Sequence, residues 1–267
     1  MTSNILIYGY GTMAAAMVDG WLHAGVPADT ITAYNPRPKQ AAPGVRLVTE
    51  LPETQFDFVV LGFKPYMLAD IAPAMQAVAG QGTAILSVLA GVDLATLRRS
   101  FPKAGGVVRF MPNLAVALGK SPNALVAEGL DDHRRDQVTG LAEMLGSAEW
   151  LAGEQQFELV TALAGSGPGF VYRFIDALAS GAASLGLESA QAQRLAVQMV
   201  EGAAALAAAS PDAPGELARR VASPGGMTQK GLDVLDKDAA LATLVERCLR
   251  AARDRGVAMG EEARKQG

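Results

Sequence analysis

Residues 4–14 read NILIYGYGTMA: an apolar run, Ile5-Leu6-Ile7-Tyr8, breaks into Gly9-Tyr10-Gly11 and reopens as Thr12-Met13-Ala14, the start of an Ala-rich segment. The pattern is strand, tight turn, helix. Gly9, Gly11 and Ala14 have the G-x-G-x-x-A spacing of the dinucleotide-binding fingerprint, in which each small residue has a mechanical task. Gly9 allows the turn, Gly11 lets the backbone approach a pyrophosphate, and Ala14 lets the helix pack closely on the strand. The free N–H groups of the helix start, with the positive end of its dipole, then face the phosphates.

Outward from this stretch, residues 13–24 read as the first helix, and Gly25-Val26-Pro27 turns the chain into a second strand, Ile31-Thr32-Ala33-Tyr34. At that strand's end a dehydrogenase that prefers NAD presents an Asp or Glu to the ribose hydroxyls. This chain has Asn35-Pro36-Arg37-Pro38-Lys39 instead. The lack of an acid and the two nearby cations favour a 2′-phosphate and therefore NADP; decoration of a surface loop is the competing account. Residues 57–62 form a near-continuous apolar run, as expected of a parallel strand covered on both faces. The run ends at Phe63-Lys64-Pro65, so Lys64 sits at the carboxyl edge where open α/β sheets bind ligands; it either faces the cofactor or is a solvated loop lysine.

A helix is expected over residues 66–78 and a buried strand over 83–88, followed by Leu89-Ala90-Gly91-Val92 and a short helix capped by Asp93. Further strands are expected at 106–109, 124–127 and 148–151, with a helix over 132–145. This alternation through residue 153 specifies a doubly wound α/β domain. Within it, Arg109-Phe110-Met111-Pro112-Asn113 puts a proline and an asparagine directly after a strand. A structural turn and a nicotinamide contact are both open for Asn113, which is carried among the cofactor-binding candidates.

From residue 154 to 267 the strand signal disappears. Residues 154–164 look helical, Gly165-Ser166-Gly167-Pro168-Gly169 breaks them, and a long helix restarts at Pro168, where proline is tolerated. That helix and another over 189–209 are rich in small residues, a C-terminal helix is expected over about 238–264, and a helical domain of this size has limited means of burying such faces alone. A homodimer is the expected remedy. Between the helices lies Ala222-Ser223-Pro224-Gly225-Gly226-Met227-Thr228. The adjacent glycines bring several backbone N–H groups together at a helix start, a ready site for a carboxylate, unless the segment is merely a linking loop.

Half of the 267 residues are hydrophobic, 19% are charged and the formal net charge is −4. That balance argues against disorder and against a general nucleic-acid binder, which needs a basic face. The single cysteine, Cys248, predicts a reducing compartment and is most simply an inert thiol. His23 and His133 read as surface residues, and two histidines make a metal site or a Ser-His triad improbable. There is no basic start with a long apolar segment, and the uncharged stretch 71–92 is broken by Pro73 and several glycines. A soluble cytoplasmic protein with no membrane partner is expected.

Taken together, GYGTMA, FKPYM, SVLAGV, RFMPN, GSGPGFVYRFIDAL and SPGGMTQKGL resemble the pyrroline-5-carboxylate reductase family over nearly the whole chain. SPGGMT after GSGPG is far more specific than the glycine fingerprint. The resemblance implies the last step of proline biosynthesis, reduction of a cyclic imine to L-proline with NADPH, NADH being possible. It also implies an N-terminal Rossmann domain, a C-terminal helical domain interlocked with a partner's, and an active site where the two meet across the homodimer, a higher oligomer being left open. By position, it implies that Tyr8, Gly9, Tyr10, Gly11, Thr12 and Met13 lie on the pyrophosphate and Asn35 and Arg37 near the adenosine ribose. Gly62, Phe63, Lys64, Pro65, Leu89, Ala90 and Gly91 would line the nicotinamide side. Gly225, Gly226, Met227 and Thr228 would hold the substrate carboxylate, with the Thr228 hydroxyl beside the imine nitrogen as the catalytic group. Tyr66, Ala115, Gly169 and Met227 depart from the family's usual pattern. The alternatives are a relative acting on a six-membered cyclic imino acid and a non-catalytic NADP-binding regulator.

Overall fold

The apolar run forms β1 (Ile5–Tyr8), and α1 (Thr12–His23) starts directly from Gly11. β2 (Ile31–Tyr34), β3 (Arg46–Val48) and β4 (Phe58–Leu61) follow. Then come α2 (Leu68–Ile71), β5 (Ala84–Ser87), α3 (Leu94–Ser100) and β6 (Gly106–Met111). β7 (Ser121–Glu128), α4 (Asp132–Glu143), β8 (Gly146–Trp150) and α5 (Phe157–Val160) complete the succession. This is a computed structural model describing residues 3–266, apart from the side chains of residues 263, 265 and 266.

The eight strands form one sheet in the order β3-β2-β1-β4-β5-β6-β7-β8. β1 pairs in parallel with both β2 and β4, so Ile5 lies opposite both Ile31 and Phe58. Only the β6–β7 pairing is antiparallel. The chain therefore winds outward from β1 through β2 to β3, then crosses back to β4 and winds the other way. That reversal leaves a crevice beyond the carboxyl ends of β1 and β4, where doubly wound Rossmann-type sheets bind dinucleotides.

Successive side chains of each strand point to opposite faces, and here both faces are apolar. Ile5, Ile7, Phe58, Val60, Val108 and Phe110 enter one core cluster, and Leu6, Tyr8, Val59, Leu61, Val107 and Met111 enter the other. This double burial explains why the strands read as unbroken hydrophobic runs. Trp21 of α1 and Leu141 of α4 share the first cluster, and the Trp21 indole donates to the Leu141 carbonyl at 2.9 Å.

Some elements differ from the sequence reading. The helix expected over residues 66–78 is a 3-10 turn (Pro65–Met67), the single turn of α2 and a second 3-10 turn (Ala74–Ala77). Pro73 lies between the last two; it lacks a donor and disfavours helix in the residue before it. The short strand β3, which carries no strong apolar alternation, went unread. No helix among the described residues is long and apolar enough to cross a membrane, and the uncharged stretch 71–92 holds turns and β5.

Two compact units result. One contains the residues up to Ser166 together with those from Ala251, and the other is Gly167–Arg250. Strands end before residue 154, yet residues 154–166 group with the sheet because Phe157 is buried in its second cluster. The other unit is helical: α6 (Gly167–Ser184), α7 (Ser189–Ala209), α8 (Pro214–Val221) and α9 (Met227–Asp236). Of α10 (Ala240–Gln266), the residues up to Arg250 belong to this unit. Ala192 and Ala196 are the unit's only buried residues.

Close packing of α1 on the 3-10 turn Leu114–Leu118 allows a direct test. A Cβ on Gly20 would lie 2.2 Å from the Val116 carbonyl oxygen, whereas one on Gly140, inside α4, would meet nothing within 4 Å. Overpacking costs about 1–3 kcal/mol and Gly→Ala in a helix returns up to about 1 kcal/mol. Gly20→Ala should therefore lower the urea midpoint and Gly140→Ala should raise it; equal midpoints would contradict the packing described.

Candidate functional site

At the crevice, two glycines meet face to face. Gly9 has φ +93°, and a Cβ on it would lie 3.0 Å from the Gly62 carbonyl and the Phe63 nitrogen. A Cβ on Gly62 would lie 2.4 Å from the Gly9 oxygen. The turn leaving β1 thus presses against the exit of β4, a contact tied by Gly62 N donating to the Tyr8 oxygen at 2.8 Å. Gly9 N donates across to the Tyr34 oxygen at 2.9 Å, so the ends of β1, β2 and β4 are locked into one edge.

α1 begins at this edge with no side chain capping it and no acid in its first turn. Its leading amides and dipole end are therefore available to an anion, as a pyrophosphate requires. The absent cap and the space that only glycines leave fit a dinucleotide. Phe63 and Tyr34 stack around Tyr8, with ring centroids 5.5 and 4.6 Å from it. Burial, followed by the Tyr34 charge and hydrogen bond, pushes the Tyr8 phenol up to about 12, so it stays neutral.

Tyr10, expected with its neighbours on the pyrophosphate, is 5% exposed and is tied to the loop after β2. Its carbonyl accepts from Lys39 Nζ at 2.9 Å, its hydroxyl from Ala42 N at 3.3 Å, and its amide donates to Asn35 Oδ1 at 3.4 Å. Asn35 Nδ2 in turn donates to the Arg37 carbonyl at 2.5 Å. Lys39 is thus tied to the turn, and both it and Arg37 are exposed to solvent. No carboxylate occupies the loop, which carries the two cations instead.

Along the same edge, Lys64 is exposed and its carbonyl accepts from Met67 N at 2.9 Å as Pro65 opens a 3-10 turn. Leu89 and Gly91 are buried and Ala90 is half-buried. Asn113 is buried and its carboxamide is used at both ends: Nδ2 donates to the Ala164 carbonyl and Oδ1 accepts from Ala115 N, each at 2.9 Å. These are the contacts of a structural turn. They strap the end of β6 to the π-helical turn Thr161–Gly165.

Sequence reading missed a charged cluster on the face β6 otherwise fills with apolar residues. Arg109, 4% exposed, donates from Nη1 to Glu154 Oε1 at 3.0 Å and from Nη2 to Glu158 Oε1 at 2.6 Å. Its guanidinium lies 3.8 Å from the centre of the Phe157 ring. The available signal was a lone arginine in an apolar strand and a glutamate pair flanking a phenylalanine at helical spacing. Nearby, Asp93 caps α3 through Thr96 N at 2.8 Å and pairs with Arg264 at 3.0 Å. Burial pushes the Asp93 carboxyl upward, but the Thr96 and Arg264 hydrogen bonds outweigh it and hold it below the usual carboxylate range.

The helical unit contains a second open helix start. Gly225 has φ +71°, Gly226 N donates to the Ser223 oxygen at 2.9 Å, and Gly226 is the N-cap of α9. No side chain caps α9 and no acid lies in its first turn. Thr228 is exposed there, beside Met227, which is 94% exposed. The departures fall at Tyr66, exposed in a 3-10 turn, at Ala115, in the turn after Asn113, and at Gly169, in α6, where a Cβ would meet nothing within 4 Å.

Comparison with known proteins agrees with this arrangement. Residues 154–259 match a family model described as pyrroline-5-carboxylate reductase dimerisation, and residues 4–91 match one described as coenzyme F420-dependent NADP oxidoreductase. The pyrroline-5-carboxylate reductase of Pseudomonas aeruginosa is 33% identical over 269 residues, covering 98% of each chain. The structure of a pyrroline-5-carboxylate reductase from Coxiella burnetii superposes with a TM-score of 0.87 at 27% identity, over 97% of this chain and 99% of that one. Plasmodium falciparum pyrroline carboxylate reductase, solved with NADP bound, has a TM-score of 0.81 at 22% identity over 97% and 98% of the two chains, a likeness of fold. With 33% identity to the Pseudomonas aeruginosa enzyme over 98% of both chains, the chain belongs to the pyrroline-5-carboxylate reductase family.

Proposed function

We propose that this chain reduces 1-pyrroline-5-carboxylate to L-proline with NADPH, NADH serving less well, and that it does so in the cytoplasm. The observation that carries the reading is the pair of uncapped, acid-free helix starts, each following a glycine turn, at GYGTMA and at SPGGMT. One suits a pyrophosphate and the other a carboxylate, the two anions this reaction brings together. Family membership and the NADP named for one neighbour's structure add support.

In this reading Tyr8, Gly9, Tyr10, Gly11, Thr12 and Met13 hold the pyrophosphate, while Asn35 and Arg37 receive the ribose and its 2′-phosphate. Exposed Arg37 can reach a phosphate, while Lys39 is engaged by the Tyr10 carbonyl. Gly62, Phe63, Lys64 and Pro65, with Leu89, Ala90 and Gly91, border the nicotinamide, and Asn113 acts through the backbone it fixes. Bound NADPH supplies a hydride from nicotinamide C4 to the imine carbon. Gly225, Gly226, Met227 and Thr228 hold the substrate carboxylate by backbone N–H groups, and the Thr228 hydroxyl orients the imine nitrogen and relays its proton. A hydroxyl titrates too far from neutrality to be a general acid of the usual kind, so orientation is its main contribution.

Residues 1–153 are assigned the dinucleotide, and residues 154–267 the substrate and the dimer contact. Supporting the latter, Tyr172, Leu195, Met199, Leu206 and Leu244 are 50–67% exposed in a unit with almost no interior. Such a surface calls for a second copy of the chain.

Thr228→Ala should lower turnover by about 10- to 100-fold, the worth of one hydrogen bond to a charged group, with NADPH affinity retained. Unchanged turnover in a coupled NADPH-oxidation assay would remove Thr228 from the site. Arg37→Glu should weaken NADPH by about 100-fold and NADH by far less, because a charge-assisted phosphate contact is replaced by repulsion. Equal losses for the two cofactors would refute the 2′-phosphate role. Light scattering at micromolar concentration should give at least the mass of two chains; the mass of one would count against the dimer.

A further inference from the structure

The Arg109 cluster does more than neutralise a buried charge. Glu154 Oε1, the atom that takes Arg109 Nη1, also accepts from the backbone amide of Leu94 at 2.9 Å. Leu94 opens α3 and lies three residues beyond Gly91, where the Leu89, Ala90 and Gly91 turn ends. Glu154 thus pins the start of α3, into which that turn leads, and Arg109 pins Glu154. The second guanidinium nitrogen is held by Glu158, whose side chain limits the approach of α10: a Cβ on Gly256 would lie 2.6 Å from Glu158 Oε2. At the turn itself, a Cβ on Gly91 would lie 3.0 Å from the Gly260 backbone. The turn is therefore confined on one side by α10 and fastened on the other by Glu154.

A buried ion cluster is a poor means of gaining stability, since apolar residues of equal volume generally do as well. It does give fixed geometry. The planar guanidinium addresses two carboxylates at once and rests on Phe157, which leaves Glu154 little freedom of rotation. Arg109 Nε has no partner and is buried, so desolvation of the arginine is not fully compensated within the cluster.

We propose that Arg109 and Glu154 are positioning residues for the reduction: they fix the Leu89, Ala90 and Gly91 turn against which the nicotinamide ring lies, without touching the cofactor themselves. This rests on the reductase reading above. The turn borders the nicotinamide half of the dinucleotide, so loosening it disturbs hydride geometry and leaves the adenosine half undisturbed. Misplacement of reacting groups by about 1 Å can cost about 100-fold in rate.

The test compares Glu154→Leu, Glu154→Gln and Arg109→Lys with the unchanged chain. It measures turnover with NADPH and pyrroline-5-carboxylate, and calorimetric affinity for 2′-phospho-ADP-ribose, which lacks the nicotinamide. Glu154→Leu should lose about tenfold or more in turnover, while its affinity for the fragment stays within about twofold. Glu154→Gln retains an oxygen for both Leu94 N and Arg109 and should recover to within about threefold of the unchanged chain. Arg109→Lys cannot address both carboxylates in one plane, and it should show the same split as Glu154→Leu; it carries the test if the leucine variant does not fold. Unchanged turnover in both disruptive variants overturns the proposal, as does a parallel loss of turnover and fragment affinity, the mark of a merely structural role. If the unchanged chain binds the fragment but reduces no imine, the reductase reading fails and takes the positioning role with it. An active chain beside unaffected variants sinks the positioning role alone.

Discussion

The contact between Gly9 and Gly62 is the constraint on which the rest of the dinucleotide edge depends. Each glycine occupies the place where the other's side chain would stand, so backbones leaving β1 and β4 come within reach of each other. This closeness lets α1 start immediately after the turn and aims its open amides beyond the strand ends at the strand-order reversal. The apolar alternation of the strands supplies the stiffness behind it. With both faces of β1 and β4 buried, a shift in register would turn their outward geometry at the crevice along with their core side chains.

Around that rigid edge, polar groups do the finer positioning. Tyr10 ties the loop after β2 to the glycine turn by three hydrogen bonds from one residue, and Asn113 ties the end of β6 to the turn before α6. Arg109 joins the same set from the interior. In each case a side chain spends its hydrogen-bonding capacity on another segment's backbone or carboxylate, which converts loops near the site into parts of the scaffold.

Much of this was legible in the sequence, for identifiable reasons. GYGTMA and the 57–62 run could be read because turn sterics and double-sided burial demand particular residue types at fixed spacing. SPGGMT could be read as a turn into a helix because glycine accepts the positive φ that Gly225 adopts before α9 starts at Met227. The helix expected over residues 66–78 failed on Pro73, whose effect on its neighbours outweighed a favourable pattern of apolar residues. Arg109 was quoted but not understood, since its partners lie 45 and 49 residues away and nothing local announces them. For Asn113 the sequence leaves a structural turn and a nicotinamide contact open, and its bonds to Ala164 and Ala115 show the first without testing the second.

The grouping of the last part of α10, from Ala251, with the sheet also bears on how the chain assembles during translation. Asp93 and its partner Arg264 are separated by 171 residues, with the whole helical unit between them. At about 5–20 residues per second a ribosome needs roughly ten to thirty seconds to span that interval. Throughout it the sheet emerges with the outer side of the Gly91 turn uncovered. That turn gains its α10 neighbours only when the last residues of the first unit are made, and until then its outer side is open to a chaperone or a protease.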